Sequence, residues 1–327
     1  MCKYKGCLFG FAAGDALGAP VEFLSDKEIH KNYGETGITH FEGWSGYPAG
    51  TFTVETQLAI ATAQGCIKAY QDYLYRGTGN SVDMIYDQYL RWLKTQTDPA
   101  QVRYPKFTTF NILKSGKRGS LDVRVNNEKS SDSISRAVPV GLAFPPTVAF
   151  REGAEYCALT HGNPTAYLSA GFVAEFIAYI IDGKNLHEAV ELCMYQLSSY
   201  EEHEETMDKI NQAVTLSTVD TDIQHSIQSL GQEWKADESL AIGIYCALKF
   251  PENFVQGVIT AVNHSGDSCV SGAITGAILG SYLGSQVIPV EWMQKLERSH
   301  KIYELADDMY RLFQNGEKVS YMKYRMD

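Results

Sequence analysis

Apolar residues recur at intervals of three and four along most of the chain, the spacing of one helix face. Leu8, Ala12 and Ala16 predict a first helix, and Gln57–Tyr75 a second. The same periodicity marks Tyr167–Ile181, Leu186–Leu197, Leu240–Phe250 and Phe254–Val262. Extended segments are scarce, and Thr147–Phe150, just after Pro145-Pro146, reads as no more than a connector. No unit of about 20–50 residues repeats, which argues against a solenoid. No linker divides the chain, so the expectation is a single all-α domain over residues 1–327.

One stretch breaks the periodic pattern by being apolar all round. Cys269–Val290 carries no charge over 22 positions, long enough to cross a bilayer. It also places Gly272, Gly276, Gly280 and Gly284 four residues apart, as membrane packing faces do. Ser271, Thr275, Ser281, Ser285, Gln286 and Pro289 dilute its apolarity, however. The expectation is a buried central helix whose glycine stripe admits a close neighbour, with no membrane partner.

Between helices, Thr36–Gly50 is a long glycine-containing entry, and Lys114–Ser133 is a polar surface loop that reaches toward later motifs. Lys235-Ala236-Asp237-Glu238-Ser239 supplies N-cap and early acidic residues, so a helix should start there. The run Glu201-Glu202-His203-Glu204-Glu205 reads as a solvated helix end or loop.

Composition narrows the partners. A net charge of −11, with only Lys114, Lys117 and Arg118 resembling a basic cluster, argues against nucleic acid. Seven dispersed cysteines without a Cys-x-x-Cys pair suit free thiols in a reducing compartment. Asp15 interrupts the apolar run after Lys3 and Lys5 too early for a leader peptide, so the expected location is cytoplasmic.

Two polar clusters carry the chemistry: Thr53-Val54-Glu55-Thr56-Gln57 and Ser265-Gly266-Asp267-Ser268-Cys269-Val270-Ser271-Gly272. With Gly14-Asp15-Ala16-Leu17-Gly18 and the following Glu22, Ser135-Arg136-Ala137-Val138-Pro139-Val140-Gly141, and Thr160-His161-Gly162-Asn163-Pro164, they make five segments in a familiar order. The chain resembles the ADP-ribosylglycohydrolases, the family of the dinitrogenase reductase-activating glycohydrolase and the ADP-ribosyl-acceptor hydrolases.

That resemblance implies a compact orthogonal helical fold and cleavage of a glycosidic bond to ADP-ribose through an oxocarbenium-like transition state. It implies catalytic roles for Glu22, Glu55 and Asp267, with Thr53, Glu55 and Asp267 as magnesium ligands. It also implies an ADP-ribose pocket near Ser131, Asp132, Ser133, Arg136, His161 and Gly162. The chain departs from the family at three of six ligand positions: Val54 and Cys269 replace acids, and Val270 replaces a hydroxyl. Two magnesium ions bring four positive charges to two or three carboxylates, an unfavourable imbalance in a buried site. One ion at most is expected, with a metal-free site the equal alternative.

Cys269 is open to two readings, a small thiol filling the space of an acid or a ligand or nucleophile. Arg136 and His161 are equally open, as diphosphate-binding groups or as an ion pair and a hydrogen-bonded imidazole. Asp132 would repel a diphosphate unless it points away. The two functional expectations are a protein that binds ADP-ribose, or an ADP-ribosylated or ADP-ribosylating partner, with hydrolysis lost or reduced, and an active hydrolase with an atypical site.

Overall fold

The computed structural model describes residues 1–103, 107–232 and 234–324. These residues form helices and loops, with no β-strand among them and only isolated bridges at Trp44–Tyr47 and Ser130–Lys235.

The first half contains α1 (Cys2–Gly18), α2 (Asp26–Tyr33), α3 (Val54–Arg76), α4 (Ser81–Thr95) and α5 (Phe107–Ser115). After two 3₁₀ turns at Ser131–Ser133 and Ser135–Ala137 come α6 (Val140–Ala143), α7 (Pro146–Ala158), α8 (Pro164–Ile181) and α9 (Leu186–Leu197). The last part contains α10 (Glu204–Thr218), α11 (Ile223–Leu230), α12 (Ala236–Lys249), α13 (Phe254–Val262) and α14 (Ser268–Leu283). It continues with α15 (Val290–Lys295) and α16 (Ser299–Met309), followed by a π-helical turn at Tyr310–Gln314 and a 3₁₀ turn at Tyr321–Tyr324.

The predicted helices form within a few residues of their expected limits, and α9 and α13 match them at both ends. Thr147–Phe150 does not form a connector, because it lies inside α7. Pro146 occupies the first helical turn, where a missing N–H costs nothing, so the Pro-Pro pair starts a helix here. The start of α12 carries Asp237 and Glu238 in its first turn, although Lys235 at the N-cap supplies no side-chain cap.

The uncharged stretch ends sooner than its composition suggests. α14 stops at Gly284, whose φ of +87° leaves the helical region. All but the last two of its residues are buried, with α1 on one face and α12 and α13 on others. α1 and α14 meet through glycines. A Cβ on Gly6, Gly10 or Gly14 would fall 2.0, 2.1 or 1.9 Å from the carbonyl oxygen of Gly280, Gly276 or Gly272. The two backbones are therefore in direct contact, a proximity that no larger residue permits. Among the described residues one helix, α8, is long and apolar enough to cross a membrane, and 89% of it is buried within the fold.

The Lys114–Ser133 loop is tied down at several points. Arg124 pairs with Glu202, and Lys129 with Glu205, so part of the acidic run anchors it. The Gly162 N–H donates to Asn126 at 2.9 Å, and Asn126 in turn donates to the Thr160 carbonyl at 2.8 Å. Backbone bonds from Ser131 to Trp234 and from Ala236 to Lys129 then seat the loop against the start of α12.

Candidate functional site

The N-terminus of α3 sits over a carboxylate from α1. Asp15 accepts the Thr53 N–H and hydroxyl at 3.1 and 2.7 Å, and the Thr56 N–H and hydroxyl at 3.0 and 2.6 Å. Burial pushes the Asp15 carboxyl up to about 6, against the opposing pull of these four bonds. The Thr53 oxygen also accepts the Glu55 N–H at 3.2 Å, the N-cap bond expected where a helix starts.

The second cluster repeats that logic. Asp267 is the N-cap of α14 and accepts the Val270 N–H at 3.1 Å. Its other oxygen accepts the Ser131 hydroxyl, while the Ser135 hydroxyl donates to Glu55. Ser131 and Ser135 are one turn apart in the 3₁₀ segment, which therefore spans the two acids.

A cavity of 210 Å³ opens beside these groups. Glu22, Phe23, Trp44, Ser45, Thr53, Val54 and Arg103 line it. At its edge Phe23, 80% exposed, stacks on Trp234 with ring centroids 5.3 Å apart and planes 17° apart. Such a pair offers an aromatic face to a planar or apolar group. Arg103 lies 4.4 Å over the Tyr47 ring and donates to Glu297 at 2.8 Å.

The Glu22 carboxylate and ligand atoms of Asp267 and Cys269 lie within 4.8 Å of one another, all three residues buried. Burial pushes the nearby His264 imidazole down to about 4, partly offset by the charge of Asp267 and the carbonyl of Ala261, so it is neutral at neutral pH.

Of the sequence-predicted site residues, the structure brings Glu22, Thr53 and Val54 to the cavity and ligand atoms of Asp267 and Cys269 to within 4.8 Å of the Glu22 carboxylate. Val270 is buried at the first turn of α14. Ser131, Asp132, Ser133, Arg136 and His161 do not line that cavity and are at most 1% exposed. Asp132 points inward, accepting the hydroxyls of Thr109 at 2.8 Å and Ser130 at 2.6 Å. It also lies 3.3 Å from His161 Nε2 and 3.9 Å from Arg136. Arg136 donates to Thr160 at 3.0 Å and Thr109 at 2.6 Å, and stands over the Tyr89 ring. These residues make a buried polar network.

Sequence reasoning missed Asp15 as a site organiser, and Phe23, Trp44, Arg103 and Trp234 around the cavity. Phe23 directly follows Glu22 and Trp234 directly precedes a predicted helix start, the only local signals that could have found them.

The donor set does not fit a magnesium pair. Magnesium takes near-octahedral oxygen coordination, yet Val54 presents methyl groups at the cavity wall and Cys269 presents sulfur. What remains chemically is an acid, Glu22, at the wall of a small cavity, with Asp267 close by. That arrangement can orient water or hold a sugar hydroxyl.

A sequence model described as ADP-ribosylglycohydrolase matches residues 2–318. The chain belongs to the ADP-ribosylglycohydrolase family. The family acts on ADP-ribosylated substrates, and the all-α fold is shared with a related solved structure. An uncharacterised protein of Archaeoglobus fulgidus is 26% identical over 313 residues, covering 95% of this chain and 96% of the relative. The ADP-ribosyl-[dinitrogen reductase] glycohydrolase of Rhodospirillum rubrum is 23% identical over 89% of each chain. The ADP-ribosylarginine hydrolase Tri1 of Serratia proteamaculans is 22% identical, over 94% of this chain and 79% of the relative. A solved structure described as an ADP-ribosylglycohydrolase-related protein complex superposes with a TM-score of 0.68 at 21% identity, over 95% of this chain and 98% of that one.

Proposed function

We propose that this ADP-ribosylglycohydrolase-like chain binds ADP-ribose, or a protein that carries or transfers it, and has lost or strongly reduced magnesium-dependent hydrolysis. The observation that carries this reading is the pair Val54 and Cys269, an apolar side chain and a thiol where two-magnesium chemistry calls for oxygen ligands. Glu22, Thr53 and the Phe23–Trp234 stack remain as a recognition surface for a sugar and a planar ring.

A second reading, an active hydrolase with an atypical site, is favoured by Glu22. Its carboxylate lies at the cavity wall, where a general base would stand.

Calorimetric titration with millimolar ADP-ribose, with and without magnesium, tests the binding. Heat of weak association is expected; none at all would leave only recognition of a protein partner. Release of ADP-ribose from modified arginine at ordinary enzymatic rates in magnesium would overturn the first reading in favour of the second.

A further inference from the structure

We propose that Glu22, Asp267 and Cys269 form a three-ligand site for one divalent cation of the borderline class, zinc foremost. The misfit with magnesium is the starting point, and the geometry of the three groups supplies the alternative. One carboxylate oxygen from each acid and the Cys269 Sγ lie within 4.8 Å of one another. Ligand atoms sharing a tetrahedral zinc stand roughly 3.5 Å apart at Zn–O bonds of about 2.0–2.2 Å and a Zn–S bond of about 2.3 Å. The difference is within reach of side-chain rotation.

The ligands come from two elements whose relative position is fixed. Glu22 follows α1 by a short turn, and Asp267 and Cys269 open α14. Between them lies the last close approach of the two helices, where a Cβ on Gly18 would fall 2.5 Å from the Ser268 carbonyl oxygen. Backbone contact this tight fixes the two ligand-bearing segments relative to each other, so that only side-chain rotation is needed to close on an ion. Cys269 occupies the first turn of α14. Ion binding would displace the thiol proton to solvent.

Sulfur decides the ion class. A thiolate selects zinc and similar cations over magnesium, which takes oxygen. Three protein ligands leave a fourth position open, and one of the three, Glu22, also lines the 210 Å³ cavity. Open coordination of that kind marks a site that engages water or a ligand rather than a sealed structural one. The metal claim stands apart from ADP-ribose recognition, and either can fail alone.

Cobalt(II) added to the metal-stripped protein should produce a thiolate-to-metal charge-transfer band in the near ultraviolet at one equivalent. One equivalent of zinc should abolish it, and millimolar magnesium should not. Cys269→Ser should remove the band and weaken zinc at least 100-fold, while Cys2→Ser, altering the exposed cysteine, should leave both unchanged. Zinc X-ray absorption on the unmodified protein gives a reading independent of any variant's folding: one sulfur at about 2.3 Å with the remaining ligands oxygen. A band that persists in Cys269→Ser, displacement by magnesium, a zinc shell without sulfur, or no stoichiometric uptake would each overturn the proposal. Zinc binding as described together with no ADP-ribose binding would leave this site standing and sink only the recognition reading.

Discussion

The Thr53 hydroxyl donates to Asp15 at 2.7 Å, which commits one wall of the cleft to a buried carboxylate. With the N–H of Thr53 and both donors of Thr56, Asp15 joins the end of α1 to the start of α3. In Asp15→Asn one of the two accepting oxygens becomes an NH₂ group facing donors. The variant should lose about 2–4 kcal/mol of stability, from unsatisfied buried donors. Urea denaturation with an unchanged slope checks this, and a loss below about 0.5 kcal/mol would contradict it.

Glu175 gives a pH dependence of defined sign. It is buried in α8, and burial pushes its carboxyl up to about 8, partly opposed by a hydrogen bond with Cys193. Its folded value therefore lies above the unfolded one, near 4.5. The group's stabilisation is full below pH 4.5 and falls as pH rises toward 8, because the folded state retains a proton that the unfolded state gives up. Glu175→Gln should remove this decline and raise stability at pH 8 by an amount on the order of 1–3 kcal/mol. Melting temperatures of both proteins from pH 5 to pH 9 would show the two curves diverging with pH; parallel curves would refute the assignment.

Gly276→Ala should be among the most damaging single-methyl additions in the chain. The new Cβ would lie 2.0 Å from the Gly10 carbonyl oxygen, and neither helix backbone can yield without displacing α1. A loss of at least 3 kcal/mol, or failure to yield folded protein, is expected. Gly77→Ala is the control: φ of +71° causes strain there, but no atom lies within 4 Å, so the cost should stay near 1 kcal/mol.

Restoring oxygen ligands tests why magnesium is disfavoured. Val54→Asp, Glu55→Asp, Cys269→Asp and Val270→Ser together should raise magnesium affinity, whereas single changes should do little, because ligands act as a unit. Cys269→Asp alone should destabilise the protein, since it adds a third buried carboxylate beside Glu22 and Asp267. Magnesium titration and thermal melts of all five variants check both statements. If the quadruple variant binds no more magnesium than the parent, the substituted ligands are not the limiting defect.

The helices were legible where one face differs from the other. α9 and α13 carry clear apolar stripes, and both ends follow from the pattern. α14 is apolar on every side, so composition marked its presence but not its end, which the backbone of Gly284 determines. α7 was missed because Pro145-Pro146 can either break a chain or open a helix, and the choice depends on what packs against Phe150 and Ala154. In the site, motif order placed Glu22, Thr53, Asp267 and Cys269 near one another. It did not indicate that Asp132, Arg136 and His161 are sealed inside. That depends on how the Lys114–Ser133 loop lies, which the Arg124–Glu202, Lys129–Glu205 and Gly162–Asn126 contacts decide. Each joins residues at least 36 positions apart, beyond any local pattern.

The glycine seam also has a consequence for how the chain is made. α1 leaves the ribosome long before the helix it packs against most extensively, α14, which begins at residue 268. Through most of synthesis the apolar length of α1 has no glycine track to meet, and a contact spanning more than 250 residues must wait for a late loop closure. α1 is therefore a segment open to premature association through most of translation. A nascent chain stalled before residue 268 should leave α1 open to protease, while one released past Gly284 should protect it.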